Sequence, residues 1–280
     1  MRLSIDMNRR TFLRISAGAG GVWLARPASR SAESSSTSDE AGLLARAKEQ
    51  IEKHRKGDGV VAVRDAQGKP IENAMVELEQ TRHEFLFGCN FFMFGRIRDP
   101  EREAEYRRRF AALLNYATLG FYWPYYEPER GKAIYDYTDK VTAWCRESGL
   151  TCKGHPLVWD YADPKWLPKD FAEIRSPSNA RVREIVERFK GRIDIWDVVN
   201  EPTHLGRFKT RTGERAIAMG AVPYTAEALK IARQANPKAR LLVNDYRTDP
   251  PFEKILESLS EEGKLLFDAI GIQSHMHGGG

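Results

Sequence analysis

The sequence predicts an α/β fold of the (β/α)8 TIM-barrel type, incomplete at about six of its eight βα units and preceded by a small β module. Three observations predict it. From Phe85 onward short apolar runs alternate with amphipathic stretches of helical period, which is the pattern of a parallel sheet with helices outside. The apolar runs end on polar residues, as barrel strands do where they deliver side chains to the catalytic rim. No Gly-rich phosphate loop follows the first run, and this separates the pattern from an open dinucleotide-binding fold.

Residues 1–32 are set apart from that fold. Asn8-Arg9-Arg10-Thr11-Phe12-Leu13-Arg14 precedes a weakly apolar, Gly- and Ala-rich run at 15–25 that is too short to span a bilayer. The segment resembles a twin-arginine export signal, which implies a periplasmic or secreted protein with no membrane attachment after export. The formal charge of the chain is +5, and residues 1–30 hold six Arg against one Asp. The remainder is therefore neutral, and no nucleic-acid partner is expected.

Residues 33–58 read as a Ser-rich linker and a short charged helix that ends at Gly57. At 59–83 two alternating runs flank the turn Asp65-Ala66-Gln67-Gly68-Lys69-Pro70, the signature of a small β module. The barrel segment occupies 84–280. Its strands are expected at 85–90, 116–123, 151–159, 193–201, 240–245 and 269–273, each short, apolar and rich in β-branched or aromatic residues. Helices are expected between them at 100–114, 137–148, 179–189, 224–234 and 252–260. Gly149 and Gly191 follow two of these as stops, and Pro223 and Pro251 stand near the starts of two others. Of the three cysteines, Cys145 and Cys152 are expected as buried thiols, with a pairing between them left open.

The central stretch is Ile193-Asp194-Ile195-Trp196-Asp197-Val198-Val199-Asn200-Glu201-Pro202. It reads as a buried strand with a carboxylate at its C-terminal end, either a reacting group on the rim or a cap of the next helix. The other strand ends carry Asn90, Trp123, His155 with Trp159 and Asp160, Asn244 with Asp245, and Gln273 with His275. Carboxylates, amides, imidazoles and indoles on one rim suit a polyhydroxylated ring, whose faces stack on indole while its hydroxyls take hydrogen bonds. A polysaccharide partner, a monomeric chain and no cofactor are expected. No metal site is expected either, because His275 and His277 have no third ligand near them.

Gly154-His155-Pro156-Leu157-Val158-Trp159, Trp196-Asp197-Val198-Val199-Asn200-Glu201, Asn244-Asp245-Tyr246 and Gly271-Ile272-Gln273-Ser274-His275 resemble, in this order, motifs of the glycoside hydrolase family 10 endo-β-1,4-xylanases. The resemblance implies retaining endo-hydrolysis of β-1,4-linked xylan or a related plant cell-wall glycan. It implies Glu201 as general acid/base, Asn200 as the partner of a sugar 2-hydroxyl, and Trp123, His155, Trp159, Gln273 and His275 as substrate-binding residues. A general acid working near neutral pH needs a raised pKa, which aromatic surroundings and a second carboxylate would supply.

Two departures accompany the resemblance. The family's nucleophilic glutamate ends a seventh strand, and no residue of this chain matches it; the expectation is a chain cut after the sixth strand. Asp160 and Asp245 also sit at strand ends and are the candidates to substitute, with Asp160 standing where the family usually has His. On the second strand the family's Glu-Asn and Lys-Trp pairs are replaced within Thr118-Leu119-Gly120-Phe121-Tyr122-Trp123, so that Tyr122 takes the place of a xylose-binding Lys. The nucleophile is thus unknown, and the alternative reading is a catalytically silent glycan-binding remnant or a non-functional fragment.

Overall fold

A computed structural model describes residues 37–81 and 83–275; the expected export signal and His277 lie outside the described residues. The chain forms two compact units, Met1–Glu84 and Phe85–Gly280.

In the first unit α1 (Thr37–Arg55) ends on Lys53, His54 and Arg55, cations that complement the negative end of the helix dipole. The predicted turn is present. Asp65 Oδ1 accepts from the backbone of Gln67 (3.0 Å) and Lys69 (2.8 Å), and Gly68 takes a φ of +83°. The predicted β module, however, is reduced among the described residues to one antiparallel bridge, Arg64 to Pro70. Val61, Val76 and Leu78, which alternation would place on an apolar face, are exposed. Two short strands without a third strand or a helix to bury that face do not hold a ladder in water.

The second unit is a six-stranded parallel sheet. Its elements run β1 (Gly88–Asn90), α2 (Pro100–Leu113), β2 (Tyr116–Gly120), α3 (Trp123–Tyr126), α4 (Tyr135–Glu147), β3 (Thr151–His155), α5 (Phe171–Arg188), β4 (Ile195–Asn200), α6 (Arg211–Met219), α7 (Ala221–Ala235), β5 (Arg240–Asp245), α8 (Pro250–Ser258), β6 (Ser260–Glu261), β7 (Lys264–Leu265) and β8 (Ala269–Ile272). The order in the sheet is β1-β2-β3-β4-β5-β8, every pairing parallel, while β6 and β7 make a separate antiparallel hairpin. Each of the six predicted strands is found. All five helices predicted in the barrel segment are found too, and α5 starts eight residues early because Asp170 caps it through Ala172 (2.9 Å) and buried Ile174 anchors its first turn. It runs through Pro177, which the sequence marks as a break.

The core lies between sheet and helices. Trp196 at its centre meets Phe121 edge-on at 5.1 Å and Phe189, at the end of α5, at 6.5 Å. A Cβ at Gly154 would lie 2.0 Å from that indole, so glycine is what lets Trp196 pack on the β3 backbone. Because strand side chains alternate, Trp196 facing the helices sends Asp197 to the opposite, concave side. At the two sheet edges, Phe85 and Phe87 beside β1 and Ile270 and Ile272 on β8 are exposed.

Candidate active site

The site is assembled at the C-terminal ends of β3, β4, β5 and β8. Pro202, which has no N–H, ends the β4 ladder, and Glu201 before it adopts φ 56°, ψ 51°. A non-glycine residue in the left-handed region costs about 1–3 kcal/mol and persists where its surroundings over-determine it. Here the restraint is visible: Glu201 N donates to Asn244 O at 2.7 Å, and the residue is 6% exposed.

Gln273 ties the carboxylate to its neighbour. Its amide Nε2 donates to Glu201 Oε1 (3.1 Å) and to Asn200 Oδ1 (3.2 Å), and Asn244 Nδ2 donates to the same Asn200 oxygen at 2.6 Å. The Gln273 carbonyl can only accept, so its 2.7 Å partner His275 carries a proton on Nε2. A Cβ at Gly271 would fall 2.4 Å from Asn244 Oδ1; the glycine makes room for the amide that orients Asn200. Glu201 Oε2 is buried and has no hydrogen-bond partner among the described residues. The nearest charge is the Arg207 guanidinium at 3.8 Å, beyond hydrogen-bonding reach.

The concave face beside it holds a second carboxylate. Asp197 Oδ2 accepts from Lys153 Nζ at 2.7 Å and from His155 Nδ1 at 2.8 Å. Burial alone would raise its pKa, but the bond from His155 and the charge of Lys153 outweigh it and hold the group below the usual carboxylate range. Since the ionised oxygen accepts, His155 carries its proton on Nδ1 and turns Nε2 outward from the pair.

Asp160 and Asp245 are both engaged in holding backbone. Asp160 is buried, accepts from Gly206 N at 2.6 Å, and has its pKa raised by that burial. Asp245 accepts from Thr203 N and Oγ1 (3.1 and 2.8 Å) and from Arg247 N (3.0 Å). With the Thr203 proton given to Asp245, His204 Nδ1 donates to Thr203 Oγ1 and its Nε2 accepts from Tyr246 at 2.5 Å. These bonds fix the β4–α6 and β5–α8 loops; they occupy both oxygens of Asp245, whereas Asp160 is held through Oδ2 and its Oδ1 is buried without a hydrogen-bond partner among the described residues.

Of the residues expected at the site, Glu201, Asn200, Gln273 and His275 form one network, and His155 stands at the next strand end. Trp159 is half-buried, 6.5 Å from the His155 ring. Trp123 departs from expectation. It is 8% exposed, its indole N–H is bonded to Glu127 Oε2 (3.0 Å), and Trp166, Leu167 and Ile174 enclose it. It therefore offers no free ring face to a sugar and serves the core. The sequence reading missed Arg207, Tyr161 and Phe208, which loops bring in. Lys153 and Asp197 had a signal, each a charge inside an apolar run. Cys145 and Cys152 are buried free thiols, and the bond to Cys152 together with burial holds the proton on Cys145; Cys89 is exposed. Among the described residues no cluster of His, Cys, Asp or Glu is placed to hold a metal.

A curled parallel sheet flanked by helices, with a carboxylate, amides and imidazoles at successive strand C-termini, is the architecture of a (β/α) barrel with its site on the catalytic rim. The chain belongs to glycosyl hydrolase family 10, whose sequence model matches residues 92–280. It is 30% identical over 243 residues to endo-1,4-beta-xylanase 5 of Arabidopsis thaliana, covering 80% of this chain and 40% of that protein. It is 32% identical over 238 residues to the anti-sigma-I factor RsgI6 of Acetivibrio thermocellus, covering 82% and 30%. Among solved structures, xylanase 10B from Thermotoga petrophila RKU-1 in complex with xylobiose superposes with a TM-score of 0.57 at 26% identity, over 67% of this chain and 59% of that one. The chain thus spans well under two thirds of the length of these relatives.

Proposed function

We propose that this chain carries the acid/base half of a retaining endo-hydrolase of β-1,4-linked xylan or a related plant cell-wall glycan, with the nucleophile supplied by a carboxylate outside the described residues. One observation carries the reading. Glu201 is held by an amide bond on Oε1 while its second oxygen, buried at the rim, has no hydrogen-bond partner among the described residues, as a group that must give a proton to a glycosidic oxygen requires. Family membership and the relatives named xylanases support the substrate class. Retention needs a second carboxylate about 5–5.5 Å from the first; Asp245 is held through both oxygens, and Asp160 is tied through Oδ2 to the β4–α6 loop. Proton NMR of xylohexaose cleavage by the full-length protein should show the β-anomer as first product. An α-anomer first would exclude retention, and binding without cleavage would favour a silent glycan-binding module.

The same reading places the protein outside the cytoplasm. It rests on Arg9 and Arg10 in the N-terminal segment. Replacing both arginines by Lys is expected to leave the protein in the cytoplasmic fraction, and unchanged export would show that another signal directs it.

A further inference from the structure

Four aromatic rings gather beside the rim. Tyr122 follows β2, Trp159 and Tyr161 lie in the β3–α5 loop, and Phe208 lies in the β4–α6 loop. Trp159 and Tyr161 stack at 4.7 Å and 20°, Phe208 meets them edge-on at 5.7 and 5.1 Å, and Tyr122 stands 5.9 and 6.2 Å from the same two rings. Trp159, the ring expected to carry a sugar, therefore has one face covered by Tyr161. The ring that meets solvent is Tyr161, 42% exposed.

This group is continuous with the acid/base site. The Tyr122 ring lies 5.8 Å from that of His155. Its phenol pKa is raised by burial, then by Tyr161, then by the charges of Glu201 and Asp197, which places the hydroxyl within their field. Two contacts hold the arrangement: Gly206 N donates to Asp160 and Thr210 Oγ1 donates to Asp160 O (2.7 Å), so the loop that carries Phe208 is tied to the loop that carries Tyr161. On the β2 side Leu119 is buried, and the missing Cβ at Gly120 lets the Phe92 and Tyr122 rings approach within 3.4 Å of that position.

We propose that Tyr161, flanked by Tyr122 and Phe208, is a stacking subsite for one pyranose ring of the β-1,4-glycan next to Glu201, read by its apolar face rather than by a charged side chain. The proposal rests on the reading of Glu201 as part of a glycan site. A β-linked pyranose in its chair form presents a face of axial C–H groups, which packs on an aromatic ring, and the phenol hydroxyls at the edge remain free to bond the ring hydroxyls. Tyr122, where the resemblance implies Lys, belongs to the same change from charge to ring contact.

Calorimetric titration with xylohexaose tests this, using full-length protein carrying Glu201→Gln so that the ligand is not consumed. Adding Tyr161→Ala or Tyr161→Leu is expected to weaken binding by about tenfold or more, the effect of an aromatic hot spot. Tyr161→Phe should stay within about threefold, because it keeps the face. Melting temperatures of the Leu and Phe variants identify the folded proteins for comparison. Parent-like binding by the Leu variant would overturn the proposal, as would a loss in the Phe variant equal to that in the Leu variant. Failure of the Glu201→Gln parent itself to bind xylohexaose would instead remove the glycan reading of the whole site.

Discussion

Glu201→Gln in the full-length protein is expected to lower kcat/KM on xylan by about 10²–10⁴-fold, the usual contribution of a general acid. The substitution keeps shape and leaves an oxygen to accept from Gln273, so the Asn200–Gln273–His275 network stays in place. What it removes is the proton that Oε2 would deliver. The diagnostic measurement is therefore a series of aryl xylobiosides with leaving groups of increasing pKa. A phenol of low pKa departs without protonation and should be cleaved by the variant with a kcat/KM close to that of the parent, while kcat falls because hydrolysis of the glycosyl-enzyme also loses its base. As the leaving group becomes more basic the variant should fall away steeply while the parent stays nearly level. Parallel slopes would show that Glu201 does not protonate the leaving group. A Glu201→Ala variant adds a second reading, since small anions such as azide can then reach the sugar from the vacated side and restore turnover of the activated substrates.

The rim was legible in the sequence because strand ends follow from alternation and from proline. The run from Arg240 to Asp245 is bounded in the fold as it is in the sequence, and Pro202 marks where β4 must stop. Side-chain direction was less legible. Trp123 and Trp159 both follow apolar runs, yet one enters a pocket formed by Trp166, Leu167 and Ile174 while the other stays half-buried at the rim, stacked on Tyr161. No local pattern separates them, because the difference is made by Trp166 and Leu167 ahead of α5 and by Ile174 in its first turn. Tyr161 and Phe208 lie 47 positions apart and meet through Asp160, whose carboxylate binds a backbone N–H across the two loops. The first unit failed in the other direction: alternation was present from 74 to 80, but alternation states which face would be buried and does not supply a surface to bury it against.

Asp197 is the residue whose removal should disturb the fold most at neutral pH. It is fully buried, and its Oδ2 serves Lys153 and His155 at once. Its pKa is held below the ordinary carboxylate value in the folded chain. The sign follows from linkage: a depressed folded pKa contributes stability that is fully present above the unfolded value and is lost as pH falls through the folded one. Asp197→Asn is expected to cost about 3 kcal/mol at pH 7, since a half-buried Lys153 would be left without a counter-charge beside a buried site. It should also flatten the acid limb of the stability curve, as one group that must be protonated on acid unfolding is gone. Urea midpoints between pH 3 and pH 8 test both parts, and an acid limb parallel to that of the parent would refute the linkage. Combining the change with Lys153→Met should recover part of the loss, because the uncompensated charge is then absent. His155 would then face a neutral amide in place of the carboxylate that keeps its proton on Nδ1, so the double variant should regain stability more fully than activity. That separation would identify Asp197 as the residue that both supports the sheet and sets the orientation of the imidazole at the rim.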